Sequence, residues 1–227
     1  MGGSAPTPIS TLASLASMGE PDGAQRSPST RSTAGHEYNE RLRRLDASAW
    51  RRILHVQAPY RWNIRRLNLG RTLDVGCGLG RILACLPPGS IGVDHNAESV
   101  SVARSRGLQA YQVEDFMLSH RPSPASFNSI LVAHVIEHLT LEEARALLSA
   151  YLPFLEHAGR VCFITPQERG YRTDATHVRF VDFDGLAELC DCVGLRVERQ
   201  FSFPFPRPVG KAFPYNEFVV LARRSWR

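Results

Sequence analysis

The sequence predicts an α/β fold in which a doubly wound, largely parallel sheet carries helices on both faces. Three observations carry that prediction. Short apolar runs alternate with helical patterns from Thr72 onward, the order that yields parallel strands joined by crossover helices. The first run, Thr72–Val75, ends in the glycine-rich turn GCGLG. The last two runs, Leu195–Phe203 and Glu217–Ala222, are joined only by a proline-rich loop, Pro204–Pro214, and so pair as an antiparallel hairpin.

Composition narrows the class. A chain of 227 residues with 43% hydrophobic and 22% charged residues can bury a substantial core as one domain with extensions. Of its 27 basic residues only Lys211 is lysine, a bias read as that of a GC-rich genome. The net charge of +5 permits an anionic partner without requiring one. The five cysteines include no C-x-x-C pair, and Cys190 and Cys192 read as one buried and one half-exposed helical thiol. A reducing cytoplasm is expected. No run is long enough to span a membrane, and no basic residue precedes the apolar patch Ile9–Met18, so a secretory signal is not expected.

In chain order, residues 1–35 are rich in Ser, Thr, Pro, Ala and Gly and are expected to be disordered. From His36 to Gln57 apolar residues recur every three or four positions, an amphipathic helix that Pro59 is expected to end. Nine arginines against three acids between His36 and Arg71 read as a solvated face; tight nucleic-acid binding is not expected. Arg81–Leu86 reads as the start of a helix. Ile91–Val93 is a second strand, Ala97–Arg106 a helix closed by Gly107, and Gln109–Val113 a third strand. Ser129–Ala133 is a near-continuous apolar fourth strand, as a strand buried on both faces should be. Thr140–Glu143 has capping-box spacing and opens a helix through Leu155; Gly159 ends it before a fifth strand, Arg160–Thr165. Leu186–Cys192 is a further helix, stopped by Gly194.

The glycine turn and the acid of the second strand point to a nucleoside. Gly76, Gly78 and Gly80 let a ligand lie against bare backbone. Asp94 ends the second strand 20 residues after Asp74, where a carboxylate can accept hydrogen bonds from ribose hydroxyls. The third glycine comes one residue earlier than in the dinucleotide fingerprint G-x-G-x-x-G.

With D-x-G-x-G-x-G, the chain resembles the class I methyltransferases that use S-adenosylmethionine, and the resemblance runs from about Tyr38 to Leu221. Asp94 matches the ribose-binding acid. Glu114, Asp115 and Phe116 match the third-strand end that frames adenine, and Ser129–Leu139, SILVAHVIEHL, matches the fourth strand and its exit. The resemblance implies a Rossmann-like sheet of seven strands in the order 3-2-1-4-5-7-6 with strand 7 antiparallel. Beyond the compositionally disordered segment 1–35, it implies a helical lid over 36–71 and a methyltransferase domain over 72–227. The cofactor-binding residues it implies are Tyr60, Asp74, Gly76, Gly78, Gly80, Asp94, His95, Asn96, Glu114, Asp115, Phe116 and His134. In the lid, Tyr60, Arg61 and Trp62 are placed to reach the methionine carboxylate of the cofactor.

Ligands in such a sheet bind beyond the carboxyl ends of the strands, where the strand order reverses. The fourth-strand exit supplies His134, Glu137 and His138; the loop after the fifth supplies His177. These four are the candidate catalytic residues, with His134 the first candidate base, because a hydroxyl acceptor must lose its proton. H-x-x-E-H also spells a zinc-peptidase motif, but that chemistry needs both histidines on one long helix, and His134 ends a buried strand. Methyltransferases of quinol precursors and RNA ends carry E-x-x-E-H at this exit and hold a divalent metal. That likeness offers Glu137 and His138 as ligands of Mg²⁺ or Mn²⁺, with a loop-stabilising role as the alternative. The element Asp174–Arg179, DATHVR, resembles a loop of sugar and glycolipid methyltransferases. It implies substrate contacts from Gln167, Arg169, Tyr171, Thr176, His177 and Arg179.

Three readings remain open. The first is an O-methyltransferase of a sugar or glycan precursor, such as an actinobacterial methylated mannoside, with a small-molecule or oligosaccharide substrate. The second is a metal-assisted phenol or quinol O-methyltransferase. The third, from another class, is a non-catalytic cofactor-binding partner or RNA-binding subunit. The oligomeric state is open, a homodimer being one option.

Overall fold

The structure is a computed structural model and describes residues 59–120 and 122–224. The disordered segment over 1–35, the helix over 36–57 and its arginine-rich face lie outside the described residues. Residues 59–66 are helical, so Pro59, expected to end a helix, lies in one.

Seven strands form one sheet in the order β3-β2-β1-β4-β5-β7-β6. They are β1 Thr72–Val75, β2 Ile91–Asp94, β3 Ala110–Gln112, β4 Phe127–Ala133, β5 Leu155–Pro166, β6 Leu195–Phe203 and β7 Glu217–Arg224. β1 pairs in parallel with β2 and β4, and β7 runs antiparallel between β5 and β6. The strand order therefore reverses at β1–β4, and the exits of these two strands lie side by side. Because β7 is antiparallel, its first residue, Glu217, arrives at that same edge, opposite Pro166.

The main helices are α1 Ala97–Ser105, α2 Leu141–Tyr151 and α3 Phe183–Cys192. Each is capped as its sequence dictates. Asn96 accepts from Ser99 N–H, Asp182 accepts from Gly185 N–H, and Thr140 with Glu143 closes a full capping box. One core, built on Leu73, Val75, Ile130, Val132 and Phe163, packs α2 and α3 against one face of the sheet. A second, built on Leu131, Ala133, Cys162, Ile164 and Val219, packs residues 59–69 against the other. Cys190 is buried and Cys192 exposed. No helix among the described residues is long and apolar enough to cross a membrane.

Two elements differ from expectation. The helix expected from Arg81 shrinks to one 3₁₀ turn, Leu83–Cys85. Pro87 follows at once, and its ring drives Leu86 into extended backbone (φ −81°, ψ 158°). The helix expected to run through Leu155 stops at Tyr151, because Pro153 can serve only the first turn of a new segment. β5 then starts at Leu155 and passes straight through Gly159, where a Cβ would sit 2.5 Å from Leu155 Cδ1. Gly159 is thus a close-packing residue within a strand.

Candidate active site

At the exit of β1 the chain reverses over the glycine turn, whose Gly76 and Cys77 N–H groups donate to Val93 O at 2.8 and 3.1 Å. Gly76 (φ +78°) has no room for a side chain, since a Cβ would collide with Val135 Cγ2 on the β4 exit. Gly78 is different. It also takes a positive φ, +50°, yet nothing lies within 4 Å of where its Cβ would be. Its backbone borders open space, as a ligand cradle must.

Asp94 ties this cradle together. Its Oδ2 accepts from Gly78 N–H at 2.7 Å and its Oδ1 from Asn96 N–H at 2.8 Å. Each oxygen keeps a lone pair for a further donor. His95 stays largely exposed, with Nδ1 3.5 Å from Asp94 Oδ1. Asn96 uses its side-chain oxygen to cap α1. Glu114 and Asp115 are exposed just beyond β3. Phe116 corrects the sequence reading: its ring is fully buried against Phe154 and Tyr151, at 5.3 and 6.0 Å between centroids, so it supports the core and does not frame a ligand.

Asp74 is buried, and its Oδ2 has no hydrogen-bond partner among the described residues. Burial first, and the neighbouring Asp94 charge second, raise its carboxyl to about 7. Tyr60 brings a buried, unpaired hydroxyl to the same region; burial and then the charges of Glu217 and Asp74 push it well above its usual value. Trp62 remains exposed and stacks on Phe203.

The β4 exit holds a charge knot in which two buried acids grip an imidazole that is 41% exposed. His134 adopts a left-handed backbone (φ +56°) directly after β4. Its Nδ1 lies 3.2 Å from Glu137 Oε1 and its Nε2 2.8 Å from Glu217 Oε1. A carboxylate only accepts, so the ring must donate from both nitrogens and is an imidazolium. Burial works to lower its pKa, but the bonds to Glu137 and Glu217, with their charges, outweigh it and raise the ring to about 10. His134 is therefore corrected from the first candidate base to a fixed cation with no lone pair for a substrate proton. Glu217 is the residue that sequence reasoning missed. The available signal was an acid opening an otherwise apolar strand, EFVVLA, whose antiparallel direction brings it to the ligand edge.

The loop after β5 is fastened to this exit. Glu137 O, in the 3₁₀ turn Ile136–His138, accepts from Val178 N–H at 2.8 Å and Arg179 N–H at 3.1 Å. That brings the His177 ring to within 4.7 Å of the His138 ring. His177 Nδ1 donates to Tyr171 O at 2.7 Å, and Tyr171 stacks on the same ring at 5.0 Å. His138 Nδ1 lies 3.2 Å from both the carbonyl and the hydroxyl oxygen of Thr176, whose own proton goes to Asp174 Oδ1. Both Nδ1 atoms thus carry hydrogen, and in the neutral ring each Nε2 holds the lone pair.

Among the expected substrate residues, Tyr171, Thr176 and His177 come together in this way, and Arg169 is exposed on the short helix Glu168–Tyr171. Gln167 is corrected. It is fully buried, donates to Ser202 Oγ and Glu217 O, and accepts from Asn216 Nδ2, so it fastens β5 to the hairpin. Arg179 places Nη1 3.8 Å from Glu188 of α3, while its Nε and Nη2 are buried with no hydrogen-bond partner among the described residues.

A seven-stranded doubly wound sheet with a glycine cradle and an acid at the tip of β2 defines a nucleoside-binding enzyme class. Residues 73–163 match the family model described as a methyltransferase domain. The structure is similar to a SAM-dependent methyltransferase from Archaeoglobus fulgidus, with 17% identity over 76% of this chain and 99% of that one and a TM-score of 0.58. It is similar to a TehB-like SAM-dependent methyltransferase from Corynebacterium glutamicum, with 19% identity over 86% of this chain and all of that one, 100%, at a TM-score of 0.53. It is also similar to mitomycin 7-O-methyltransferase, with 18% identity over 70% of this chain and 50% of that one, again at 0.53. No curated protein matches the sequence. Residues 73–163 thus match a methyltransferase domain, the fold is that of S-adenosylmethionine-dependent methyltransferases, and both point to S-adenosylmethionine as the cofactor.

Proposed function

We propose that the protein methylates a hydroxyl of a sugar or glycan precursor. The observation that carries this reading is the paired imidazoles of His138 and His177. Both are fixed on backbone carbonyls with Nε2 left for an acceptor, and Thr176 and Asp174 stand at the same place. A polyol offers many hydroxyls to such a set, whereas a phenol would call for an apolar slot. The sulfonium methyl is already activated, so the remaining work is in-line placement and deprotonation of a hydroxyl held beside the histidine pair. Tyr60, with its hydroxyl under the influence of Asp74 and Glu217, supports a lid role for the segment before β1.

The test is transfer of a labelled methyl group from S-adenosylmethionine by the purified protein to panels of mono- and oligosaccharides, phenols and RNA. Label on a sugar oxygen, lost to base level in His177→Ala, is the expected result. Label on phenols with none on sugars would overturn the acceptor class, and label on RNA alone would overturn it in favour of a nucleic-acid acceptor.

A further inference from the structure

We propose that Glu137, His138 and His177 form a binding site for a divalent first-row transition metal of the zinc, iron(II) or manganese kind. One donor atom from each lies within 4.8 Å of the others. Three independent features make this a built site. The first is the tautomers. Nδ1–H of His138 is bound to Thr176 O and Nδ1–H of His177 to Tyr171 O, so each ring turns the other nitrogen outward as a ligand. A carbonyl behind an imidazole is the usual support of a metal-binding histidine, because it fixes the ring and raises its basicity.

The second feature is Glu137. Its side chain is fully buried; Oε1 is taken by His134, and Oε2 has no hydrogen-bond partner among the described residues. A carboxylate oxygen left bare in a protein interior is costly unless something positive completes it. His134 serves the other oxygen and is itself held from behind by Glu217, so the carboxylate is oriented as a metal ligand is by its outer partners. The third feature is the fastening of the loop. Glu137 O accepts from both Val178 and Arg179, which holds the third ligand, His177, against the first.

The donor set decides the ion. Two imidazole nitrogens and one carboxylate suit zinc, iron and manganese, whereas magnesium prefers oxygen throughout and keeps most of its water. Metal–donor bonds of about 2.0–2.2 Å draw the set inward by a modest rotation of His138 and His177, both only partly buried. Three protein ligands leave coordination positions open. In use, and here the inference rests on the methyltransferase reading, an ion held by the two Nε2 atoms would meet the acceptor hydroxyl in their place and lower its pKa, the proton passing to water. The acceptor oxygen then forms the new O–CH₃ bond while the S–CH₃ bond breaks, the electron pair returning to sulfur as S-adenosylhomocysteine. His134 is not a ligand; it is a positioning residue that holds Glu137.

The experiment is calorimetry and metal analysis on the full-length protein, stripped with chelator and titrated with Zn²⁺, Mn²⁺ and Mg²⁺ separately. We expect one equivalent of Zn²⁺ or Mn²⁺ per chain, held at least roughly tenfold more tightly than Mg²⁺. His177→Ala and His138→Ala should each weaken that binding by about 10–100-fold or more, the loss seen when even a supporting partner is removed. The same variants should bind S-adenosylmethionine as the parent does, which shows that they are folded. Absence of stoichiometric binding of either transition ion, Mg²⁺ bound as tightly as Zn²⁺, or undiminished binding by His177→Ala would each overturn the site. Metal binding without methyl transfer to any acceptor would sink the proposed function and leave the site standing.

Discussion

His134 Nε2 lies 2.8 Å from Glu217 Oε1, although 83 positions separate the two residues in the chain. The bond joins the exit of β4 to the start of β7, and with Glu137 it encloses one cation between two buried carboxylates. Removing the cation leaves both acids uncompensated. The imidazole itself is 41% exposed, so solvent screens part of the loss, and His134→Ala should lower the free energy of unfolding by less than the roughly 3–5 kcal/mol of a fully buried pair broken from one side. The sign with pH follows. The ring is raised from 6.5 to about 10, so its contribution is fully present below its unfolded value and is lost as pH rises through about 10. Chemical denaturation of parent and variant from pH 6 upward measures both effects. Equal stability of the two proteins at pH 6 would show that the knot is not charged as described.

Asp94 supports the cofactor both directly and through the cradle. Its carboxylate orders Gly78 and Asn96 by their N–H groups and keeps lone pairs for ribose hydroxyls. Asp94→Ala should weaken S-adenosylmethionine binding by about 1.5–3 kcal/mol, the range for hydrogen bonds to a charged group. Titration calorimetry giving the parent affinity would remove Asp94 from the cofactor site. Asp94→Asn, which keeps one acceptor, should fall between.

What could be read in advance depended on distance along the chain. The cradle and Asp94 were legible because a turn, a strand end and a fixed offset are local features, and the sheet order followed from the family resemblance that they carried. The knot was not. Its three members come from two segments that only the antiparallel β7 brings together, and an imidazole reads as a base until its neighbours are known. Phe116 and Gln167 misled for a related reason. Both sit at strand ends where ligands bind, but α2 and the 3₁₀ turn after it, with Tyr151 and Phe154, cover the ring of one, and Asn216 and Ser202 consume the amide of the other. At α2, Pro153 was the signal for the early stop, and the capping box at Thr140 drew attention to the wrong end.

The glycines of the cradle separate binding from folding. Gly76 and Gly78 both have a positive φ, +78° and +50°, so an alanine at either bears a backbone strain of roughly 1–2 kcal/mol. Only at Gly76 does the new methyl also meet the core, against Val135 Cγ2, and overpacking adds about 1–3 kcal/mol more. At Gly78 the methyl projects into empty space where the cofactor must approach the backbone. Gly78→Ala should thus leave a protein that unfolds within about 2 kcal/mol of the parent yet binds S-adenosylmethionine at least roughly tenfold more weakly. Gly76→Ala should lose more stability than Gly78→Ala. Thermal denaturation and cofactor titration on the two variants give both quantities. Tight cofactor binding by Gly78→Ala would mean that the ligand does not lie against this turn, and the whole edge beyond β1 would have to be reassigned.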